Sequence, residues 1–313
     1  MRNPDLTDVE IESALPVMRK LVWADREQRG KLQELGLNVT PVNFYSNIPS
    51  ISEVMSSYEY TDASIPYLNE TIFNKEALRE ELSRLIPFSE DFTPPENGNE
   101  ENCDRFFWKN SQFTYSDAMS YYAYIRRIKP KTVVEIGSGF SSLAALEALG
   151  KNGVGKLKCI EPFPRPFITK LGSSGTIDLH KTPAQGITPE TLNSMLADGD
   201  ILFIDSTHTV KSGSDCLHIY LRLLPHINKK IFVHVHDFFL PFGIPKDWLL
   251  DLHIYWTEQY LLLAWMLDNP RVSVLFGSAY HQHFNADLLD SFMRGRNISG
   301  GSSFWLEYDG RRG

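Results

Sequence analysis

A short apolar segment that runs directly into a glycine turn constrains this chain more than any other feature. Residues 132–142 read Thr-Val-Val-Glu-Ile-Gly-Ser-Gly-Phe-Ser-Ser, which predicts a strand, a turn at Gly137-Ser138-Gly139 and a helix that begins near Ser141. Glycine adopts backbone angles closed to other residues and lets a ligand approach the main chain closely. In an open α/β sheet, ligands bind at the carboxyl ends of the strands. We therefore predict a ligand site at this turn.

The residues around the turn narrow the choice of ligand. A dinucleotide site favours G-x-G-x-x-G, but Ser142 stands at the third glycine position. A carboxylate at Glu135 would repel a pyrophosphate and attract a cation. The E-x-G-x-G turn resembles motif I of class I S-adenosylmethionine (SAM) methyltransferases, whose cofactor carries an ammonium group and no phosphate. The resemblance implies that SAM contacts Glu135, Gly137, Ser138 and Gly139. Another nucleotide, or a purely structural turn, is the alternative.

A second acid follows at the spacing that an adenosine cofactor requires. Residues 157–161 form another short apolar run, and Glu161 ends it 22 residues after Gly139. A carboxylate about 20 residues beyond the glycine turn, at the end of the second strand, can accept hydrogen bonds from both ribose hydroxyls. We predict this role for Glu161; the alternative is a solvated acid at a strand end.

The composition excludes several classes of protein. The chain has 313 residues, 42% hydrophobic and 22% charged, with a net charge of −8. Nucleic-acid binding needs clustered Lys and Arg, so this acidic balance predicts a partner other than nucleic acid. No apolar run is long enough to span a bilayer, which requires about 20 residues, and we predict no membrane partner. The three widely spaced cysteines form no C-x-x-C pair, which fits a reducing cytoplasm.

From about residue 111 the chain alternates between strand and helix patterns, which predicts a parallel, doubly wound sheet. Residues 1–110 instead show helical patterns at 8–36 and 75–86 among irregular, turn-rich stretches, and we predict a helical cap and substrate region there. The predicted strands are 132–136, 156–161, 176–180, 201–205, 230–235, 271–276 and 303–308. The predicted helices are 116–128, 141–149, 166–171, 189–197, 212–224 and 246–267.

The end of the chain adds a detail of topology. A helix-poor stretch joins the sixth predicted strand to the last one, which suits an antiparallel insertion. The class I SAM methyltransferases have such a seventh strand. The resemblance covers residues 111–313 and implies a Rossmann-like sheet of order 3-2-1-4-5-7-6.

Three clusters of polar side chains follow the predicted strands and should meet at the carboxyl edge of the sheet. Gln185 follows the third strand, where adenine contacts are expected. Asp205 and His208 follow the fourth strand, and a histidine can accept a proton at neutral pH, as methylation of a hydroxyl requires. His236 and Asp237 end the fifth strand. The alternatives are a helix cap at Asp205 and a polar loop residue at His208. His234 lies within the strand and is predicted to pack structurally.

The D-x-x-H pattern of Asp205 and His208, with Asp237 after the fifth strand, is similar to the metal-dependent sugar O-methyltransferases of macrolide and aminocoumarin biosynthesis. The similarity implies that Asp205 and Asp237 hold a divalent metal, that Asp205 also lies beside the cofactor, and that His208 is the general base. His236 stands where that family has a second carboxylate. Magnesium prefers oxygen ligands, so the alternatives are a more nitrogen-tolerant ion or a metal-free site with His208 or His236 as the base.

The combined prediction is a cytoplasmic SAM-dependent O-methyltransferase that acts on a small-molecule, sugar or glycan hydroxyl in biosynthesis, with catalysis by His208, His236 and Asp237. Its rivals are an N-methyltransferase, a non-catalytic SAM-fold binding protein and a nucleotide-dependent oxidoreductase. The aromatic stretch 106–115 is expected either to close over a ligand or to pack between cap and sheet. The oligomeric state is left open, including a homo-oligomer.

Overall fold

A computed structural model of the protein describes residues 6–298 and 301–311. The chain forms two compact units, residues 1–56 and 57–313. The boundary between them lies well before residue 110, since the segment 57–110 belongs to the same unit as the sheet. The role predicted for residues 1–110 as a cap and substrate region stays a prediction.

The second unit is built on one seven-stranded sheet whose order is β3-β2-β1-β4-β5-β7-β6, which confirms the predicted fold class. Strands β1 to β5 are parallel, and β7 is antiparallel to both β5 and β6. The central strands are fully buried because helices cover both faces of a parallel sheet. The strands are β1 (Thr132–Ile136), β2 (Lys156–Ile160), β3 (Asp178–His180), β4 (Ile201–Ile204), β5 (Lys230–Val235), β6 (Val272–Gly277) and β7 (Phe304–Asp309).

Helices account for most of the remaining regular structure. In the first unit they are α1 (Asp8–Val22), α2 (Arg26–Glu34) and α3 (Ile51–Ser56). In the second they are α4 (Tyr58–Thr61), α5 (Lys75–Ser89), α6 (Tyr115–Ile128), α7 (Phe140–Asn152), α8 (Pro166–Ser173), α9 (Pro189–Met195), α10 (Asp215–His218), α11 (Lys246–Leu250), α12 (Glu258–Met266), α13 (Ser278–Phe284) and α14 (Ala286–Met293). A π-helix at Ile219–Leu223 and two 3₁₀ helices, Ala184–Gly186 and Leu224–His226, complete the set.

The structure corrects two helix predictions. The predicted helix 246–267 is two helices, α11 and α12, because the backbone N–H groups of Thr257 and Glu258 donate to the carbonyl of His208 and not to a preceding turn. The connection between β6 and β7, predicted to be poor in helix, contains α13 and α14. The antiparallel pairing of β7 inferred from that connection is nevertheless correct.

Two clusters of buried apolar side chains, one on each face of the sheet, hold this unit together. One lies under α5, α6, α7 and α14, and it contains Tyr121, Tyr124 and Trp305. The other lies under the π-helix and α12, and Leu202 and Val233 belong to it. Among the described helices none is long and apolar enough to cross a membrane.

Candidate active site

The predicted site residues lie side by side at the carboxyl edge of the sheet. Backbone hydrogen bonds continue one step beyond the strands: Glu161 N donates to His180 O, Gly137 N to Ile160 O, Asp205 N to Ile136 O, and His236 N to Ile204 O. Since the parallel strands end at the same edge, the residues that follow β2, β1, β4 and β5 lie side by side. The structure therefore brings together the glycine turn, Glu161 and the Asp205, His208, His236 and Asp237 cluster.

The glycine turn is shaped by one close approach. Gly137 has φ +86°, and a Cβ added there would lie 2.2 Å from the backbone oxygen of Asp205. Only glycine fits this position, so the turn after β1 and the end of β4 are locked together. Gly139 differs, because a Cβ there would meet no atom within 4 Å. Open space above Gly139 is where a ligand can approach the main chain.

Glu135 does not face that open space. Its side chain is fully buried, and its carboxyl accepts hydrogen bonds from Tyr121 Oη at 3.0 Å and from the Ser142 hydroxyl. Burial raises the pKa of Glu135 to about 7, although these hydrogen bonds oppose the shift. Glu135 thus ties β1 to α6 and α7 beneath the turn, and its predicted contact with the cofactor stays a prediction.

Glu161 and Ser138 connect the end of β2 to the turn. One carboxylate oxygen of Glu161 accepts from Ser138 N at 3.2 Å, and the other accepts from Phe163 N at 2.7 Å. The Ser138 hydroxyl is buried and lies near the thiol of Cys159. Gln185 is exposed and donates to Gly213 O at 2.9 Å. The cofactor roles of these three residues stay predictions.

His208 is the best-held side chain of the cluster. It adopts φ +57°, its Nδ1 lies 2.8 Å from Glu258 Oε2, and its ring lies 4.2 Å from that of Trp256. Its other nitrogen, Nε2, lies 3.3 Å from Asp205 Oδ1 and 3.5 Å from Asp237 Oδ2. One ring nitrogen is therefore anchored in the protein, and the other is directed at the strand-end carboxylates.

His236 and Asp237 lie against the same carboxylate. His236 Nδ1 is 3.5 Å from both Asp205 Oδ1 and Asp237 Oδ2, and its Nε2 is 3.4 Å from Asp117 Oδ2. Asp237 has φ +62°, and its Oδ1 accepts from the Ser302 hydroxyl at 2.8 Å. The imidazole of His236 is almost completely buried, whereas Asp205 is more than a third exposed. Asp205 is thus the member of this group that an acceptor can reach most easily.

The sequence analysis did not predict two acids that belong to the cluster, Glu258 and Asp117. Glu258, 1% exposed, also accepts from the Ser206 hydroxyl at 2.7 Å. Asp117 Oδ1 accepts from Ser302 N at 2.7 Å. Glu258 begins a helix that is otherwise almost entirely apolar, and an acid there is the signal that could have drawn attention to it. Asp117 carried no comparable signal, since acids are common in the first turn of a helix.

The carboxylates dominate the electrostatics. Although burial lowers the pKa of His208, hydrogen bonds and charge from Asp205 and Glu258 outweigh it and raise that pKa to about 10. Burial likewise acts against the charged form of His236, but the nearby charges of Asp237 and Asp205 raise its pKa well above the ordinary value. Burial would raise the pKa of Asp205, yet the two imidazoles lower it.

We expect the protein to lose stability as the pH rises above neutrality, in the presence of a chelator. The folded pKa of His208, about 10, exceeds its unfolded value of 6.5, so its contribution is complete below pH 6.5 and disappears as the pH approaches 10. The loss should amount to a few kcal/mol, since each pKa unit is worth about 1.4 kcal/mol. Melting temperatures of the wild type and His208→Asn between pH 6 and 10 measure it. The exposed His253→Asn is the control, and equal pH dependence in all three proteins would contradict the prediction.

His234 and the aromatic stretch 106–115 make the contacts of side chains that pack inside the fold. The His234 ring is fully buried and stacks on Trp305 at 4.3 Å, and its Nε2 is 2.6 Å from the Ser303 hydroxyl. Burial keeps its pKa well below the ordinary value. Phe106, Phe107 and Trp108 are also buried. These contacts support packing between segments as the role of the stretch.

The donor set fits a divalent cation. Asp205, His208 and Asp237 each offer one ligand atom, and the three atoms lie within 4.8 Å of one another. Two carboxylates and one imidazole suit several divalent ions. The metal roles of Asp205 and Asp237 remain predictions.

Comparison with known proteins agrees with the fold. A family model described as a methyltransferase domain matches residues 134–238, which contain the glycine turn, Glu161 and the strand-end cluster. An uncharacterized protein of Archaeoglobus fulgidus is 34% identical over 146 residues, 44% of this chain; the chain spans 64% of that relative's length. The recognition of a class I SAM-dependent methyltransferase domain is thereby confirmed over this part of the chain.

Solved structures show more distant similarity. A putative O-methyltransferase from Klebsiella pneumoniae is 14% identical, with 73% of this chain and 89% of that chain covered and a TM-score of 0.40. The O-methyltransferase TomG from Streptomyces achromogenes, in complex with SAM, is 16% identical with the same coverage and TM-score. The plantazolicin methyltransferase BpumL, in complex with SAH, is 12% identical, with 90% and 98% covered and a TM-score of 0.38.

Proposed function

We propose that this protein is a SAM-dependent O-methyltransferase that acts on a hydroxyl group of a sugar, glycan or other small molecule in biosynthesis. The observation that carries the proposal is the held imidazole of His208, whose Nε2 faces Asp205 and Asp237 beside the glycine turn. The match of residues 134–238 to a methyltransferase domain supports SAM as the cofactor. The three free, buried cysteines support the proposed cytoplasmic location.

The cofactor would lie over the turn at Gly137–Gly139. The open space at Gly139 supports this placement. Glu161 would accept from the ribose hydroxyls, and Gln185 would contact the adenine. Glu135 supports the turn from below, because its carboxyl is bonded to Tyr121 and Ser142.

The acceptor would lie between the ends of β4 and β5. Its hydroxyl oxygen attacks the methyl carbon in line, the bond from carbon to sulfur breaks, and S-adenosylhomocysteine leaves. The hydroxyl proton passes to Nε2 of His208 when that ring is neutral, and Glu258 stabilises the resulting imidazolium through Nδ1. Holding the two reactants in this geometry supplies much of the rate enhancement.

The other residues of the cluster position these groups. Asp117 and Ser302 hold His236 and Asp237 in place, and His236 keeps the pKa of Asp205 low, so that Asp205 is ionised when the acceptor binds. Asp205 and Asp237 would hold a divalent cation, which supplies positive charge that favours the alkoxide form of the acceptor. The same positive charge would offset the two carboxylates beside His208 and lower the pKa of its imidazole, which leaves Nε2 neutral as the base.

The first test is calorimetric titration of the purified protein with SAM and, separately, with NADH. We expect SAM to bind and NADH not to bind. Transfer of labelled methyl groups to a panel of sugars and small-molecule alcohols would then identify the acceptor. The absence of SAM binding would refute the proposal, and binding of NADH instead would favour an oxidoreductase. Methyl transfer only to amines, unaffected by His208→Ala, would indicate an N-methyltransferase.

We expect the protein to bind one Mn²⁺ ion, and Asp237→Asn to weaken that binding by about 10- to 100-fold, since it removes one of the two carboxylates that would hold the ion. Electron paramagnetic resonance of free Mn²⁺ during a titration measures the affinity. Asp287→Asn is the matched control, because Asp287 lies in the first turn of α14, outside the donor set. If the two variants bind alike, the ion lies elsewhere; if neither they nor the wild type binds Mn²⁺, the metal part of the proposal is wrong.

A further inference from the structure

A second cavity lies beside the start of α6. It has a volume of about 620 Å³, and it is lined by Glu96 and by residues 108–110, 114–115, 293 and 295–297. Among its walls are an indole, two cationic side chains and the first residue of a helix: Trp108, Lys109, Arg296 and Tyr115. None of these residues belongs to the cluster at the ends of β4 and β5.

The cavity contains hydrogen-bond donors that the protein leaves unused. Trp108 is only 4% exposed, and its Nε1 is buried without a hydrogen-bond partner. Arg296 lies over the Trp108 ring at 4.9 Å, and its Nε is also buried and unpartnered. A buried N–H without a partner is unfavourable, so an anion that these two side chains shift to reach would satisfy both groups.

The most buried charged side chain in the lining is a cation, because Arg296 is half-buried whereas Lys109 is exposed. Within residues 6–298 and 301–311, no carboxylate lies within ion-pair distance of Arg296 or Lys109. Glu96, the acid in the lining, is exposed. No side chain caps the first turn of α6 in the described chain, since the Thr114 hydroxyl donates instead to Trp108 O at 2.6 Å. Free N–H groups at the start of a helix favour an anion.

A short segment of the chain, residues 110–114, lies between the cavity and the proposed acceptor site. Asn110 and Thr114 line the cavity, and the ring of Phe113 between them lies 5.1 Å from that of His236. Asn110 fixes this segment, because its amide donates to the carbonyls of Phe107 and Phe113 while its oxygen accepts from Phe113 N. Phe113 is 2% exposed, so its ring forms the wall that the cavity and the catalytic cluster share.

We propose that this cavity binds a carboxylate or phosphate group of the acceptor, through Arg296, Lys109 and Trp108 Nε1. The acceptor is then an anionic molecule, such as a sugar acid or a phosphorylated sugar, with its reactive hydroxyl at the ends of β4 and β5. This assignment to the acceptor rests on the proposed function; the anion site itself does not.

The test uses the full chain without SAM, so that its result does not depend on methyl transfer. Glucuronate, its neutral counterpart glucose, and inorganic phosphate are titrated by calorimetry at low salt. We expect glucuronate and phosphate to bind and glucose to bind at least tenfold more weakly. Arg296→Gln should weaken glucuronate binding by about tenfold, since hydrogen bonds to charged groups are the strong ones. Arg294→Gln, an exposed arginine outside the cavity, should change it less than twofold.

Three results would overturn the proposal: no binding of either anion, equal binding of glucuronate and glucose, or equal affinity of Arg296→Gln and the wild type. SAM also carries a carboxylate, so SAM is titrated into Arg296→Gln as well. Unchanged SAM affinity is expected, and a tenfold loss would assign the cavity to the cofactor instead of the acceptor. Should Arg296→Gln fold poorly by circular dichroism, Lys109→Gln on the exposed rim and the glucose comparison in the wild type decide the question.

Discussion

We expect Gly137→Ala to lose SAM binding by more than tenfold and to destabilise the protein by about 2–4 kcal/mol, the combined cost of backbone strain and overpacking. The reason is the position of the added methyl group. At φ +86° it would lie 2.2 Å from the backbone oxygen of Asp205, which cannot move without displacing the end of β4. The same shift would move Asp205 relative to His208. Calorimetry with SAM and chemical denaturation measure the two effects.

Gly139→Ala is the matched control that separates folding from binding. Its backbone is extended, with φ −176°, and an added Cβ meets no atom within 4 Å. We expect the stability of this variant to remain close to that of the wild type, while the methyl group fills the space through which the cofactor approaches the main chain. Wild-type SAM affinity in Gly139→Ala would show that the ligand does not lie over this turn. Wild-type stability in Gly137→Ala would contradict the described turn.

The fold was predictable because its signals are local. An apolar segment, a glycine turn and a second apolar segment with a terminal acid repeat the strand pattern, and the order of elements then leaves few topologies. The division of the predicted helix 246–267 was not predictable in this way. Apolar residues cover both sides of that segment, and the start of its second helix is set by a long-range contact, in which the His208 carbonyl receives the N–H groups of Thr257 and Glu258.

Prediction of the candidate active site was limited in the same way, since sequence patterns reveal strand ends but not long-range contacts. Asp205, His208 and Asp237 were predictable since they follow strands that end at one edge, and their meeting follows from the parallel sheet. The face toward which Glu135 turns was not predictable, because the alternation of a strand does not reveal which neighbour will cover each face. Burial beside Tyr121 decided it.

Glu258 could be placed only by the structure, and it has the largest expected effect on catalysis after the removal of His208 itself. Its carboxylate lies 2.8 Å from His208 Nδ1 and is 1% exposed. A hydrogen bond to Nδ1 determines which tautomer the imidazole adopts and how its ring is oriented. The Ser206 hydroxyl, 2.7 Å away, fixes the carboxylate in turn.

We therefore expect Glu258→Gln to lower kcat for methyl transfer by about 10- to 100-fold, the usual cost of losing such an outer partner, with little change in the KM for SAM. Gln has the same shape but no charge, and its amide can present an N–H to Nδ1 and so favour the wrong tautomer.

The control is Asp251→Asn, which changes an exposed acid between α11 and α12 and should retain wild-type kcat. An equal loss of SAM affinity in Glu258→Gln would mean that Glu258 supports the fold of the site in general, whereas wild-type kcat would exclude His208 as the base. Nuclear magnetic resonance of the ring protons reports the tautomer of His208. A change of tautomer in Glu258→Gln, together with the loss of kcat, would show that Glu258 acts on catalysis by orienting His208.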